Sequence, residues 1–227
     1  MILSQLRQMA RAMIPGAKLK VIENKDIDLI LNEGAKDIAA YTVCLKANKK
    51  FTITDGKYEY KISTFIGDYI AVDGKLWWYT GSKWKELYPR TLEWLDNNRP
   101  NWRDLGTGNP LYYSINSDII TLSPTPNTTL SDGLWLYYAA KSVSMTRESD
   151  YPFSGSDTEL SHLSIFDYSI VAFARWRILP MLSKDANADM LYKEYKNERE
   201  EKMVQLYRRK DIANATETRL QGPSIRS

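Results

Sequence analysis

The stretch GNPLYYSINSDIITLSPTP, residues 108–126, decides how the rest of the chain is read. Two tyrosines lead into a polar turn at Asn116-Ser117. An apolar pair follows, and then two prolines in three residues. Alternation with a period of two marks a strand, and the polar pair marks a reversal. Proline closes the second strand because it has no N–H to give to a ladder. The stretch therefore reads as a hairpin, yet the last third of the chain carries the period of long helices.

Upstream, the period of two runs back to about residue 43. Phe51 and Ile53 alternate with threonines, and Asp55-Gly56 precedes Tyr58, Tyr60 and Ile62. Asp73-Gly74 stands between Tyr69-Ile70-Ala71-Val72 and Leu76-Trp77-Trp78-Tyr79, and Gly81-Ser82 precedes Trp84. An Asp-Gly pair between alternating runs signals a hairpin, because both turn positions favour positive φ. Gly108 is expected to enter its strand through a turn with positive φ. Thr91 is placed to cap a short helix reaching Asn97. Residues 134–143 form a further strand, and 144–158 a loop.

On either side of this region the period is helical. Ile27, Ile30, Leu31, Gly34, Ala35, Ile38 and Tyr41 make one stripe, capped by Asn24 or Asp26. Gly34 costs helix stability there, so a close approach by another helix backbone is expected. Residues 1–14 place Ile2, Leu6, Met9 and Met13 on one face of a short helix that Pro15-Gly16 ends. Leu163, Phe166, Ile170, Phe173, Ala174 and Ile178 form a second long stripe, which Pro180 kinks or ends. A short connection at 184–187 makes the next helix, 188–210, an antiparallel neighbour, with Leu191, Tyr195, Met203 and Leu206 inward. Residues 211–227 are polar and aperiodic.

The fold class is therefore α+β: an antiparallel helical bundle, a large inserted antiparallel β-sheet or β-sandwich module, and an extended C-terminal arm. The expected division is an N-terminal segment at 1–24, the bundle at 25–42 with 158–210, the β module at 43–157, and the arm at 211–227.

Composition narrows the function. The 227 residues carry a net charge of +3, too balanced for a nucleic-acid tail. One cysteine excludes an intrachain disulfide framework, and one histidine, His162, argues against a histidine metal site or triad. Arg7 and Arg11 interrupt any apolar run of a secretory signal, and the longest apolar run, Leu134 to Ala140, is too short to span a bilayer. Glu198, Glu200 and Glu201 read as a solvated helix face, with Glu198 four residues before Lys202. Phosphate loops, nucleophile elbows and zinc spacings are absent from the sequence. The expectation is a protein without catalytic activity, cofactor or metal.

What departs from average is the aromatic content, 7 Trp and 15 Tyr against 5 Phe. Such side chains favour half-wet sheet faces and interfaces. Trp77, Trp78 and Trp84 are the candidates for a tail or subunit interface. Adjacent Trp77 and Trp78 must face opposite sides of their sheet. A carbohydrate-binding or other ligand-binding module using this aromatic face is the alternative reading.

Trp102-Arg103, Gly108-Asn109-Pro110-Leu111-Tyr112-Tyr113 and Ile119 through Pro126 resemble the core of tailed-bacteriophage head–tail connector (adaptor) proteins. Leu134-Trp135-Leu136-Tyr137-Tyr138 and the C-terminal helix pair are similar to the same family, and the long aromatic β region is nearest its podovirus-like tail tubular adaptors. The resemblance implies a structural subunit of the virion neck, assembled in the host cytoplasm. It implies neighbouring copies in a ring, a dodecamer, beneath a portal protein. A tail nozzle or tail tube protein would sit below, and DNA would pass through without sequence-specific binding and without a membrane partner. Ile212, Arg219, Leu220, Ile225 and Arg226 are the expected portal-binding residues of the arm, apolar anchors interleaved with charge.

Overall fold

The computed structural model describes residues 1–14, 22–103, 106–183 and 186–220, without the side chains of 209–220. In chain order the elements are α1 (Leu3–Met13), α2 (Asn24–Thr42), β1 (Lys46–Ile53), β2 (Glu59–Lys61), β3 (Tyr69–Tyr79), β4 (Trp84–Glu86) and β5 (Tyr88–Pro89). There follow α3 (Leu92–Asn98), β6 (Thr107–Gly108), β7 (Tyr112–Asn116), β8 (Ile119–Ser123), β9 (Thr125–Pro126), β10 (Leu130–Ala140), α4 (Asp167–Leu182) and α5 (Ala188–Leu220). The architecture is α+β, and the chain divides into two compact units, Met1–Cys44 with Ser142–Ser227, and Leu45–Lys141. None of the described helices is long and apolar enough to cross a membrane.

In the helical unit α4 is central, touching α1, α2 and α5. Its sequence explains this place: Ile170, Val171, Phe173, Ala174 and Ile178 are all buried, so its apolar surface is too wide for a single partner. Leu3, Leu6 and Ala10 of α1 and Ile27, Leu31, Ala35 and Ile38 of α2 complete the core. Pro180 lies inside α4, two residues before its end. Tyr41, expected inward, is exposed, because the inward stripe of α2 passes through Ala39 and Thr42 instead. Helix α5 runs to Leu220, ten residues beyond the expected end at Lys210.

Residues 142–157, expected with the β module, belong to the helical unit. Local hydrogen bonds explain it. The buried Asn32 amide donates to Met145 O at 3.0 Å and accepts from Met145 N at 2.8 Å. The first two backbone N–H groups of α1 donate to Asp150 O and Glu148 O at 2.9 and 3.1 Å, which satisfies donors that a helix start leaves free.

The other unit holds two four-stranded sheets, ordered β1-β10-β3-β4 and β2-β8-β7-β5, and a small β6-β9 pair. The four-stranded sheets share one core. Phe51, Ile53, Leu76, Trp78, Leu134 and Leu136 come from the first, and Tyr60, Tyr113, Ile120 and Leu122 from the second. The opening stretch is a true hairpin, with Asn116 opposite Ile119, though its turn is Ser117-Asp118, one residue later than expected. The 81–82 turn is also a true hairpin, joining β3 and β4.

Both Asp-Gly hairpins are corrected. Asp55-Gly56 carries the chain from one sheet to the other, since β1 pairs with β10 and β2 with β8. Asp73-Gly74 does not reverse the chain at all; it lies within β3. There Val72 and Leu76 pair with Tyr138 and Leu136, so β3 bulges by two residues where Gly74 takes φ +102°. Across 134–140 the long strand β10 is the template, and pairing to it outweighs the local turn preference. Gly108 is likewise not in the positive-φ region; it pairs in parallel with Pro126 as part of β6.

Candidate interaction surfaces

The outer face of the first sheet follows from strand alternation. Leu76, Trp78, Leu134 and Leu136 point to the core, so Trp77, Tyr79, Trp135 and Tyr137 point away from it. The register sets Trp77 opposite Trp135, Tyr79 opposite Trp84, and Lys50 opposite Trp135. The rings form a chain across three strands: Tyr79–Trp84 at 5.1 Å, Trp84–Trp135 at 5.5 Å and Trp135–Tyr137 at 4.9 Å between centroids. Lys50 Nζ lies 5.2 Å and 5.0 Å from the Trp84 and Trp135 centroids, within cation–π range. Trp135 Nε1 donates to Asn48 Oδ1 at 3.1 Å.

Trp77 and Trp84 thus share a half-exposed aromatic face. Trp78 does not belong to it: the side chain is fully buried, because odd and even positions of β3 face opposite ways. Among the described residues its indole N–H has no hydrogen-bond partner. Trp135 and Tyr137, which complete the chain of rings, were named from sequence only within the 134–138 strand and not as interface residues; their period-two spacing was the available signal. Further along the same sheet, the Tyr138 hydroxyl donates to Asp68 Oδ1 at 3.0 Å, and burial together with this carboxylate pushes its pKa up to about 12.

In the helical unit α5 meets α2 through a polar cluster. Asp37 of α2 accepts from the Tyr195 hydroxyl and from Arg199 Nη1, the latter at 2.7 Å. Arg199 Cζ lies 3.6 Å from the ring centroid of Tyr41. Burial, and then the Asp37 carboxylate, raise the Tyr195 pKa far above the ordinary phenol range. Large apolar side chains remain exposed on these helices, including Leu29, Tyr168, Met181 and Met190.

The residues expected to hold a portal lie on the last part of the chain. The backbone of Ile212, Arg219 and Leu220 is helical within α5, and their side chains lie outside the described residues, as do Ile225 and Arg226 altogether.

Comparison with curated proteins gives no match. The sequence model of the SU10 adaptor protein family matches residues 1–222, which spans both units and the whole of α5. The match covers nearly the entire chain, and the chain belongs to the SU10 adaptor protein family.

Proposed function

We propose that this phage adaptor protein is the repeating subunit of a ring, a dodecamer, seated beneath the portal, which continues the DNA channel and gives the tail its attachment site. The family match over residues 1–222 carries the reading. A closed ring needs two different and complementary faces on each subunit. The aromatic face of the β unit and the exposed apolar positions of the helical unit are candidates for such faces. Trp77 and Trp84, with Trp135, are proposed to meet a neighbouring subunit or a tail nozzle or tail tube protein. A net charge of +3 suits a channel past which DNA slides rather than one that grips phosphates.

The segment 211–227 is proposed to dock on the portal, with Ile212, Leu220 and Ile225 as anchors and Arg219 and Arg226 on acidic partners. Arms from many subunits would act together, since docking one brings its neighbours close. Mass photometry of the purified chain with and without portal tests the reading. A ring or a portal complex is expected, and removal of 211–227 should weaken portal assembly while leaving the circular-dichroism spectrum nearly unchanged. A chain that stays monomeric with portal present would count against the ring.

A carbohydrate-binding module is the weaker reading. Successive rings of the aromatic chain are tilted by 43°, 60° and 35°, and Lys50 covers two of the indoles. A sugar ring would meet no flat stacking surface.

A further inference from the structure

The β unit carries a second aromatic and cationic arrangement, built around the short helix α3. An open cleft of about 520 Å³ is lined by Val72, Pro89, Arg90, Thr91, Trp94, Tyr113 and Ile115. Its position is fixed from both sides. Arg90 N donates to Tyr113 O at 2.8 Å, which fastens the end of β5 to β7. Thr91 Oγ1 accepts from Trp94 N at 3.0 Å and so caps α3.

Two arginines stand at opposite ends of α3, and both guanidinium groups converge on Tyr112. Arg90 Cζ lies 4.9 Å from the Trp94 centroid and 5.8 Å from that of Tyr112, and Arg99 Cζ lies 4.8 Å from Tyr112. Among the described residues no carboxylate pairs with either, whereas the nearby Arg103 is paired with Asp96 at 2.9 Å. Stacking holds a guanidinium in one plane; Arg90 Nη1 donates to Pro89 O at 2.9 Å, and the remaining N–H groups can face an oxyanion. The site thus offers one stacked cation, Arg90, in the lining of a cleft that also includes Val72, Ile115 and Pro89, and a second, Arg99, on the neighbouring Tyr112 ring, neither paired with a carboxylate among the described residues.

We infer that this cleft docks an acidic peptide segment of a partner protein, with one aliphatic or aromatic side chain inserted in the cleft and flanking carboxylates on Arg90 and Arg99. Nucleic acid fits less well. The Trp94 ring, which a base would need as a stacking face, is already engaged by Arg90. The apolar lining also has no use for a phosphodiester. The inference extends the adaptor reading by giving a partner's docking chemistry. It is tested on the isolated chain, so its failure would leave portal assembly as a separate question.

The experiment uses fluorescence anisotropy with a labelled nine-residue peptide, a central Leu flanked on each side by Glu and Asp. Three control probes are the same peptide with Leu→Ser, the peptide with its acids replaced by Gln and Asn, and a labelled oligothymidine. Saturable binding of the acidic Leu peptide alone is expected, weakened on the order of tenfold by Arg90→Ala and further by Arg90→Ala with Arg99→Ala. Ile115→Trp, which fills the cleft and keeps both arginines, should abolish binding while circular dichroism shows the fold retained. Any of three results overturns the inference: no saturable binding of the acidic Leu peptide, equal binding by the Ile115→Trp chain, or tighter binding of oligothymidine than of the peptide.

Discussion

The ring of Phe173 on α4 is seated against the backbone of Gly34 on α2. A β-carbon built on Gly34 would stand 3.1 Å from Cγ and Cδ1 of that ring, closer than ordinary van der Waals contact. The sequence had marked Gly34 as a point of close approach; what approaches is a phenyl ring rather than a helix backbone. Phe173 also meets Tyr195 of α5 edge to face at 5.2 Å, so one side chain ties α2, α4 and α5 together.

This contact sets a non-additive pair of substitutions. Phe173→Ala should cost ~3–5 kcal/mol in a urea melt. Gly34→Ala alone should gain little or lose stability, because its helix-propensity gain of ~1 kcal/mol is offset by strain against the ring. In the Phe173→Ala background the strain is gone, and Gly34→Ala should stabilise by about that full amount. Equal effects of Gly34→Ala in both backgrounds would show that the ring does not limit the site.

Asp150 gives an acid-side prediction. Its buried carboxylate accepts from Thr146 N and Arg147 N at 2.9 and 2.8 Å, and from Arg147 Nε at 2.9 Å. Backbone N–H groups, chiefly, hold its pKa below the ordinary carboxylate value. A lowered pKa stabilises the fold above the unfolded value of ~3.9 and is lost as pH falls through the folded one. Asp150→Asn should therefore melt earlier than the parent at pH 7, and the gap should close below about pH 4. A constant gap from pH 7 to pH 3 would contradict this account.

Gly133 of β10 is the tightest glycine in the β unit. A β-carbon there would meet Ile53 Cγ1 at 2.4 Å and Cδ1 at 2.8 Å, and Ile53 is fully buried. Gly133→Ala should cost ~1–3 kcal/mol through overpacking. Ile53→Val in the same chain should recover part of it, as thermal melts of the two variants can show.

The core of α4 was legible because the stripe is written in residue spacing: Leu163, Phe166, Ile170, Phe173, Ala174 and Ile178 are all buried. By contrast, α1 buries Leu3, Leu6 and Ala10 and leaves Met13, expected inward, exposed, and Met203 of α5 is only partly buried. Strand existence was legible for the same reason, with period two at Trp77-Trp78 and Trp135-Leu136. Strand partners were not. Whether Asp73-Gly74 reverses the chain or bulges it depends on β10, some sixty residues away, and nothing local encodes that pairing. Arg199 shows a different limit. It lies on the α5 stripe between Tyr195 and Leu206 and is only 6% exposed, yet its charge assigns it to the outer face when read by residue type. Its acceptor, Asp37, lies on another helix. The Arg90–Tyr112–Arg99 arrangement escaped the reading likewise, since α3 alone brings its two arginines to one ring of β7.

The phenols give an alkaline-side prediction. Tyr138 and Tyr195 both have raised pKa values through burial and a carboxylate acceptor. A raised pKa contributes stability that is present below the unfolded value of ~10 and fades as pH rises through the folded one. Absorbance at 295 nm should show these two among the 15 tyrosines failing to ionise until the chain unfolds. Tyr195→Phe should flatten the loss of stability above about pH 10. Complete ionisation of all tyrosines near pH 10 with the fold retained would contradict it.

Asp37 and Arg199 should respond unequally when either is removed. The Arg199 side chain is 8% exposed and that of Asp37 is 43% exposed. Water can therefore take over the Asp37 carboxylate if the arginine is lost, and the Tyr195 hydroxyl still donates to it. Arg199→Met also keeps an unbranched chain of similar length against the Tyr41 ring, so the helix seam stays filled. This substitution should cost ~1 kcal/mol or less, as replacement of a desolvated ion by an apolar group often does. Asp37→Ala is the harsher change. It leaves a buried guanidinium whose Nε already lacks a partner among the described residues, and it strips the Tyr195 hydroxyl of its acceptor. A cost of ~3–5 kcal/mol is expected, the usual price of orphaning a buried ion. Adding Arg199→Met to Asp37→Ala should then recover a large part of that loss. Denaturant melts of the two single variants and the double variant measure all three terms. If Arg199→Met proves as damaging as Asp37→Ala, or the double variant is the sum of the two, the cluster acts as a surface pair and not as a buried cation answered by one half-exposed acid.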